Sequence, residues 1–405
     1  MRIKRLGEFA EIQTGPFGSQ LHKDDYVLNG TPIVTVEHLG KRLFTEQNLP
    51  KVSDDDKQRL SKYILSEGDI VFSRVGSVDR CSYVDQTHDG WMFSGRCLRV
   101  RPDKSVLPLF LYYYFCLEET KQFVRNIAVG ATMPSINTKL MSEVRVAIPE
   151  IESQQRIADI LSSIDNKIEL NETINENLLQ QLSEIYRSWY VDFSAVSKGF
   201  ASSEYGDIPS GWHYKQLGDV CQSISVTHKF DKEQLIFLNT GDIDNGQFLH
   251  SNYMPVKDMP GQAKKTICPD DILYSEIRPA NKHFAYVNFP SADYVVSTKL
   301  MVIRSKGIDS RRLYHFLTMK ETLTELQLQA ESRSGTFPQI RFDNVSKLPI
   351  LIADAVTENT FTGILHSVYR QIESNIAENY KLAQIRDSLL PKLMTGELDI
   401  SKLDL

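Results

Sequence analysis

The chain has 405 residues, 46 basic and 52 acidic side chains, a formal charge of −6 and a hydrophobic fraction of 41%. That length accommodates two to four domains, each with a core of its own, and an ordinary hydrophobic fraction excludes wholesale disorder. No window holds 18 consecutive apolar residues, and the opening MRIKRLGEFAEI lacks the apolar run of a signal peptide, so neither a membrane span nor secretion is expected. In chain order, short β-rich runs bounded by Gly, Pro and Asp predict strands at IVTV (Ile33 to Val36), DIVFS (Asp69 to Ser73), CLRVRP (Cys97 to Pro102) and VRVAIP (Val144 to Pro149). The stretch LFLYYYFCLEETKQFVRNI reads as one helix between the last two. Further strands are expected at LIFLNT, DILYS, YVVS and KLMVIR, followed by one helix over RRLYHFLTMKETLTELQLQ.

The chain is written twice. Shifted by 204 positions, Thr132 to Leu182 overlies Thr336 to Arg386 without a gap, and fourteen of the 51 pairs are identical, Pro134/Pro338, Ile136/Ile340 and Asn171/Asn375 among them. LGEFAEI resembles LGDVCQSI, and GDIVFS resembles DDILYS. A period near 200 is too long for a solenoid and marks a duplicated domain. The fold expected is α+β: two homologous strand-rich modules separated by two long helices.

The long helices are the sharper prediction. A 4-3 spacing runs through Ile157, Leu161, Ile164, Ile168, Asn171, Asn175, Leu178, Leu182, Ile185 and Trp189. The second copy has Phe361, Leu365, Val368, Ile372, Asn375, Asn379, Leu382, Arg386, Leu389 and Leu393, with Pro391 expected to fray or kink its end. Sustained 3.5-residue spacing marks a coiled-coil seam. Packed antiparallel about a pseudo-twofold axis, the two would follow the rule 173 + x against 377 − x. Asn171 then faces Asn379, Asn175 faces Asn375, Leu178 meets Ile372, and Ile164 meets Arg386 as the one mismatch. Amides buried at a seam fix register, because any slip sets them against hydrocarbon. The alternative is two separate helices with these asparagines on solvated faces.

Catalytic signatures are sparse. Pro269, Asp270, Glu276 and Arg278 approach a metal-dependent nuclease pattern, but the gap is cramped and the last position is Arg. Asn288-Phe289-Pro290-Ser291 falls short of an amino-methyltransferase loop, and neither a GxxxxGK[ST] phosphate loop nor an HExxH cluster occurs. The five cysteines (Cys81, Cys97, Cys116, Cys221, Cys268) are scattered and free of CxxC pairs, which predicts free thiols in a reducing cytoplasm and no zinc site.

Over nearly its whole length the chain resembles the specificity subunit of type I restriction–modification systems. The resemblance is carried by TGPFGSQL, GDIVFSRVGS, the MPSIN and FPQI loops, IPEIESQQRIADILSSIDNKIELN, EIYRSWYVDF and the terminal LLPKLMTGEL, in that order and in duplicate. It implies target recognition domains at residues 1–150 and 194–354, each reading one half of a bipartite, interrupted site in double-stranded DNA. It implies helical spacers at 151–193 and 355–405, on which two methyltransferase subunits dock and restriction/translocase subunits join them in phage defence. It also implies a non-catalytic chain with no cofactor of its own, S-adenosylmethionine, ATP and Mg belonging to the partners.

Charge complicates that expectation. Residues 1–150 carry +1, 190–354 carry −1, 151–189 carry −4 and 355–393 carry zero. Phosphate neutralisation dominates DNA affinity, so base must be concentrated in small patches, with partners gripping the rest, and the isolated chain is expected to bind weakly. Since Arg and Lys suit guanine edges and Asn and Gln suit adenine, the DNA-binding candidates of the first module are Ser19, Gln20, Lys23, Arg74, Ser77, Arg80 and Arg96. Those of the second are Thr227, His228, Lys229, Arg278, Lys282, Lys299 and Arg333. The GATMPSIN and RSGTFPQI loops add Thr132, Ser135, Asn137, Thr336 and Gln339, as DNA contacts or as turns that seat the following strand. Tyr186, Trp189, Tyr190 and Phe193 either cap the second module's core or form a subunit interface. A DNA-binding regulator acting alone and a protein-bridging scaffold are the competing functions.

Overall fold

Each strand-rich half is organised around a four-stranded antiparallel sheet of the same order. In the first it runs Ala10–Thr14, Cys97–Pro102, Ile70–Ser73, Cys81–Tyr83; in the second, Cys221–Ile224, Leu300–Ser305, Ile272–Ser275, Phe284–Tyr286. The computed structural model describes residues 2–196, 199–333 and 337–398, and it falls into two units, Met1–Thr173 with Asn375–Leu405, and Ile174–Ser374. The central strands read as unbroken apolar runs because both faces are covered. Ile70 and Phe72 point into a core shared with the helix Pro108–Cys116, while Val71 points into a second core with Ile33, Val34 and Phe93. Ile272 and Tyr274 against Leu273 repeat that alternation, as a two-residue period requires. The second core of each half is roofed by a second sheet, three-stranded in the first half and four-stranded in the second, with one parallel pair, Thr31–Val34 beside Met92–Phe93 and Gln234–Leu238 beside Tyr294–Ser297.

The GDIVFS and DDILYS echo has a structural cause. Asp69 and Asp271, both fully buried, each accept a backbone N–H three residues upstream, from Ser66 and Cys268 at 2.8 Å. Each also binds an arginine of the neighbouring strand, Arg101 at 2.6 Å and Arg304 at 2.7 Å. Burial of these carboxylates is tolerable only because they are paired and hydrogen-bonded.

The single helix expected in each module is two. Pro108–Cys116 and Glu118–Ile127 are separated by Leu117, and Ser310–Thr318 and Lys320–Arg333 by Met319, both extended (ψ 132° and 146°). A straight 19-residue helix would run about 28 Å, whereas strands of three to six residues reach at most about 20 Å. The break lets both pieces stay over the sheet, with Leu117 itself buried in the core.

The long helices span Ile151–Tyr190 and Ala355–Thr395. In the first unit they run antiparallel: Asp165 pairs with Arg386 at 2.7 Å, and Asn171 Nδ2 donates to Asn379 Oδ1 at 2.8 Å. Asn379 Nδ2 donates in turn to the Ile168 carbonyl at 3.2 Å, and Asn171 is 1% exposed, so this amide pair lies in the seam and not on a solvated face. The mismatch at Arg386 is relieved because its guanidinium reaches Asp165 beside Ile164. Asp165 also accepts the buried Tyr113 hydroxyl at 2.7 Å, which ties the helix to the module. Arg42, bound to Glu169 and Asn166, does the same. The second helix continues through Pro391 to Thr395, since Leu390, Leu393 and Met394 bury against the first module's core and offset the lost backbone bond.

In the second unit Leu182, Tyr186 and Tyr190 share a core with Phe361, Leu365, Tyr369 and Ile372, and Leu178 packs against it. The aromatic segment is therefore core: Tyr190 and Phe193 sit 5.5 and 6.0 Å from the Trp212 ring. The wholly buried Arg312 guanidinium lies over Tyr190 and Tyr186 at 4.4 and 5.0 Å. Asn375 is buried in the first unit and Asn175 half-buried in the second. All five cysteines are free thiols. No helix among the described residues is long and apolar enough to cross a membrane.

Candidate nucleic-acid interface

Strand register brings the candidate segments of each module to one end of its main sheet. In the first, Thr14 lies opposite Leu98, Ser73 opposite Cys97 and Phe72 opposite Cys81. Residues 15–18, 74–80 and 95–96 therefore all leave the sheet at the same edge. In the second, Ile224 lies opposite Val302, Ser275 opposite Leu300 and Tyr274 opposite Phe284. There the segments are 225–229, 276–283 and 298–299.

A main-chain frame, repeated in both modules, holds these loops. Arg74 N–H donates to the Arg96 carbonyl at 2.8 Å, Ile136 N–H to the Arg74 carbonyl at 2.9 Å, and Gly76 N–H to the Pro134 carbonyl at 2.8 Å. In the second module Glu276 donates to Lys299 at 3.0 Å, Ile340 to Glu276 at 2.8 Å, and Arg278 to Pro338 at 3.1 Å. Ser135 bridges Val75, as Gln339 bridges Ile277. The MPSIN and FPQI loops are thus turns stitched to the sheet end by backbone, which accounts for the matching Pro and Ile at equal spacing. Equivalent points of the frame carry different side chains: Arg74 against Glu276, Gly76 against Arg278, Ser135 against Gln339.

The side chains divide into presented and occupied groups. Ser77, Arg80, Arg96, Thr132, Thr227, Lys229, Arg278 and Lys282 are exposed and Lys299 is half-buried. None of the six cations among these makes a carboxylate pair among the described residues, whereas Arg101, Arg304 and Lys232 away from the sheet end do, and Arg125 binds Asp79 of the 74–80 segment. Near-zero module charge therefore coexists with unpaired cations at one edge. Arg74 is partly committed: Nη1 donates to the Gly95 carbonyl at 3.2 Å, its guanidinium sits 5.8 Å from the Phe17 ring, and Nε is buried without a partner among the described residues.

Other candidates have their polar groups engaged within the chain. Gln20 accepts from the Tyr63 hydroxyl at 2.7 Å, Asn137 caps the helix Thr138–Ser142 through Leu140 N–H at 2.9 Å, and Ser135 Oγ donates to the Val129 carbonyl at 3.1 Å. His228 is 9% exposed, its Nδ1 accepts the Phe230 N–H at 2.9 Å, and burial lowers its pKa below the usual histidine range. Gln339 Nε2 donates to Glu276 at 3.3 Å. The side chains of Ser19, Lys23 and Arg333, and Thr336 altogether, lie outside the described residues.

Reading by residue type missed the exposed apolar members of the same edge, Phe17, Val129 and Met133 in the first module and Val226 and Phe337 in the second. The TGPFGSQL and MPSIN strings contained two of them; exposure, not identity, is what singles them out. Lys265, whose pKa burial lowers, donates to the Thr298 and Leu300 carbonyls at 3.1 and 2.8 Å and steadies the Lys299 turn. Beside Lys282 a cleft of about 380 Å³ opens between Asn245, Ala280 and the helix face bearing Lys320, Leu323, Gln327 and Leu328.

The residues that approach a nuclease pattern are engaged otherwise. Asp270 accepts the Tyr286 hydroxyl at 2.6 Å, Glu276 is engaged by Gln339, and among the described residues no group of three or more His, Cys, Asp or Glu is placed to hold a metal ion. What the edge offers is donors and flat or apolar surface, which suit base edges, phosphates and thymine methyls.

Comparison with known proteins finds relatives of one kind. A family model described as the type I restriction modification DNA specificity domain matches twice, over residues 1–180 and 209–383. The HindI type I restriction enzyme specificity subunit of Haemophilus influenzae is 43% identical over 183 residues, 44% of this chain and 40% of that relative. The chain thus spans less than half of that relative's length. The MjaIX specificity subunit of Methanocaldococcus jannaschii is 23% identical over 99% of this chain and 94% of its own. Among solved structures, the type I restriction–modification S subunit from M. genitalium shares the fold, with a TM-score of 0.57 at 14% identity, over 97% of this chain and 95% of that one.

Proposed function

The chain belongs to the family of type I restriction–modification DNA specificity domains and carries two of them, and from that premise we propose that each module presents its sheet end to one half of an asymmetric, interrupted DNA site. Residues 1–150 and 194–354 act as the two readers. Residues 151–193 and 355–405 set the half-site distance and dock two methyltransferase subunits, with restriction/translocase subunits completing the enzyme. The chain itself is a non-catalytic recognition subunit of the cytoplasm. Transfer of the methyl group from S-adenosylmethionine and ATP- and Mg-dependent translocation belong to those partners.

The observation that carries this reading is the duplicated main-chain frame with exchanged side chains. One scaffold that holds its loops by backbone hydrogen bonds can display different donors in each copy, which is what reading two different half-sequences demands. Exposed cations without carboxylate partners at that edge supply the phosphate attraction that the net charge lacks.

Co-expression with a cognate methyltransferase partner, followed by genome-wide mapping of methylated adenines, tests it. A gapped two-part motif is the expected result. An unbroken motif, or tight sequence-specific binding by the chain alone, would refute the division of labour.

A further inference from the structure

We propose that Arg278 is the guanine-reading side chain of the second module, and that its strained backbone persists because that side chain acts outside the chain. The inference rests on the proposed role of the sheet end. Arg278 has φ +44° and ψ 77°, in the left-handed region that a residue with a Cβ rarely adopts, and it precedes Pro279. At the equivalent point of the frame the first module has Gly76, with φ +75° and open space where a Cβ would stand. Glycine therefore satisfies this position at lower cost, and one module uses it.

The second module does not, and among the described residues no side-chain hydrogen bond or ion pair of Arg278 repays the difference. The Arg278 side chain is exposed and has no carboxylate partner among the described residues; the near carboxylate, Glu276, accepts from Gln339. The main chain, by contrast, is tightly fixed. Arg278 N–H donates to Pro338, its carbonyl accepts the Asn281 N–H at 2.8 Å, and Lys282, also left-handed, donates to Pro279 at 2.9 Å. A rigid root and an uncommitted guanidinium suit bidentate donation to N7 and O6 of guanine, which needs a planar fork aimed from a defined origin. A phosphate contact would be served as well by lysine from a relaxed backbone.

The test uses the full chain co-expressed with its methyltransferase partner, comparing wild type, Arg278→Gly and Arg278→Lys by adenine-methylation mapping and thermal unfolding. Arg278→Gly should raise the second unit's melting temperature by about 1–3 °C. In the same variant one guanine of a single half-site should become degenerate, the other half-site staying intact, with a roughly 5- to 150-fold loss of preference at that base. Arg278→Lys, which keeps the strain and the charge, should relax the same base without raising the melting temperature. The proposal is overturned if the motif survives Arg278→Gly, if Arg278→Lys restores full discrimination, or if Arg278→Gly melts lower than wild type. Absence of any bipartite motif with the wild-type chain would instead overturn the underlying role of the sheet ends.

Discussion

Replacing Arg386 with methionine isolates what the buried polar cluster of the first unit contributes. Asp165 is 5% exposed and accepts from Arg386 and Tyr113, each at 2.7 Å. Without the arginine a nearly dehydrated carboxylate keeps only a phenol. Breaking a buried pair costs about 3–5 kcal/mol. The Arg386 side chain is 31% exposed, so water replaces part of the loss and the low end, about 3 kcal/mol, applies. In a unit of about 200 residues that lowers the melting temperature by about 6–12 °C. The combined variant Arg386→Met, Asp165→Leu, Tyr113→Phe removes every member of the cluster and should return to within about 1–2 kcal/mol of wild type, since apolar replacement of a whole buried network is often neutral. Chemical denaturation followed by circular dichroism measures both. A single variant costing under 1 kcal/mol, or a triple variant as unstable as the single, would refute the cluster as described.

Three other outcomes follow from the same structure. Asn379→Leu alone should destabilise the first unit by about 1–2 kcal/mol, because it removes an acceptor from buried Asn171, whereas the Asn171→Leu, Asn379→Leu pair should melt above wild type. His315, buried and next to Arg312, has its pKa pushed down to about 3 by desolvation first and the arginine second. The unfolded chain then binds a proton that the folded one refuses between about pH 6.5 and 3, so stability falls as pH drops through that window. Going from pH 7 to pH 5 should cost the wild type about 2 kcal/mol more than His315→Gln, read by urea denaturation at the two pH values. Replacing Arg96 with alanine should flatten the salt dependence of DNA binding by the assembled methyltransferase by about one phosphate contact, without altering the methylated motif.

Much of the architecture was legible because it is written in periodicity. A 4-3 repeat that brings asparagines to matching places in two copies contains a pairing rule, and Asn171 meets Asn379 as that rule requires. Central strands such as Cys97–Pro102 were equally plain, being short, apolar and bounded by turn residues. The breaks at Leu117 and Met319 were not, since neither residue disfavours a helix and only the short reach of the sheet forces the turn. At Pro391 the helix runs on to Thr395, the local penalty being offset by tertiary burial of Leu393 and Met394. At the sheet ends, residue type picked out side chains such as Arg96 and Arg278, which the strands bring to the end of each sheet, but could not separate presented side chains from committed ones. Asn137, an N-cap preceding Thr138, was recognisable by its position; the engagement of Gln20 depends on Tyr63, far away in sequence, and the burial of His228 on a main-chain bond to the equally distant Lys264.

The hydrogen bonds that shape both sheet ends run from peptide to peptide, so the side chains at positions 74 and 276 take no part in them, and at 76 and 278 only the left-handed backbone, with its preference for glycine, limits the choice. Mutation can therefore change what is displayed there while the mounting keeps its geometry. Under the proposed role, small coding steps at these positions would give the chain a new preference without a new fold.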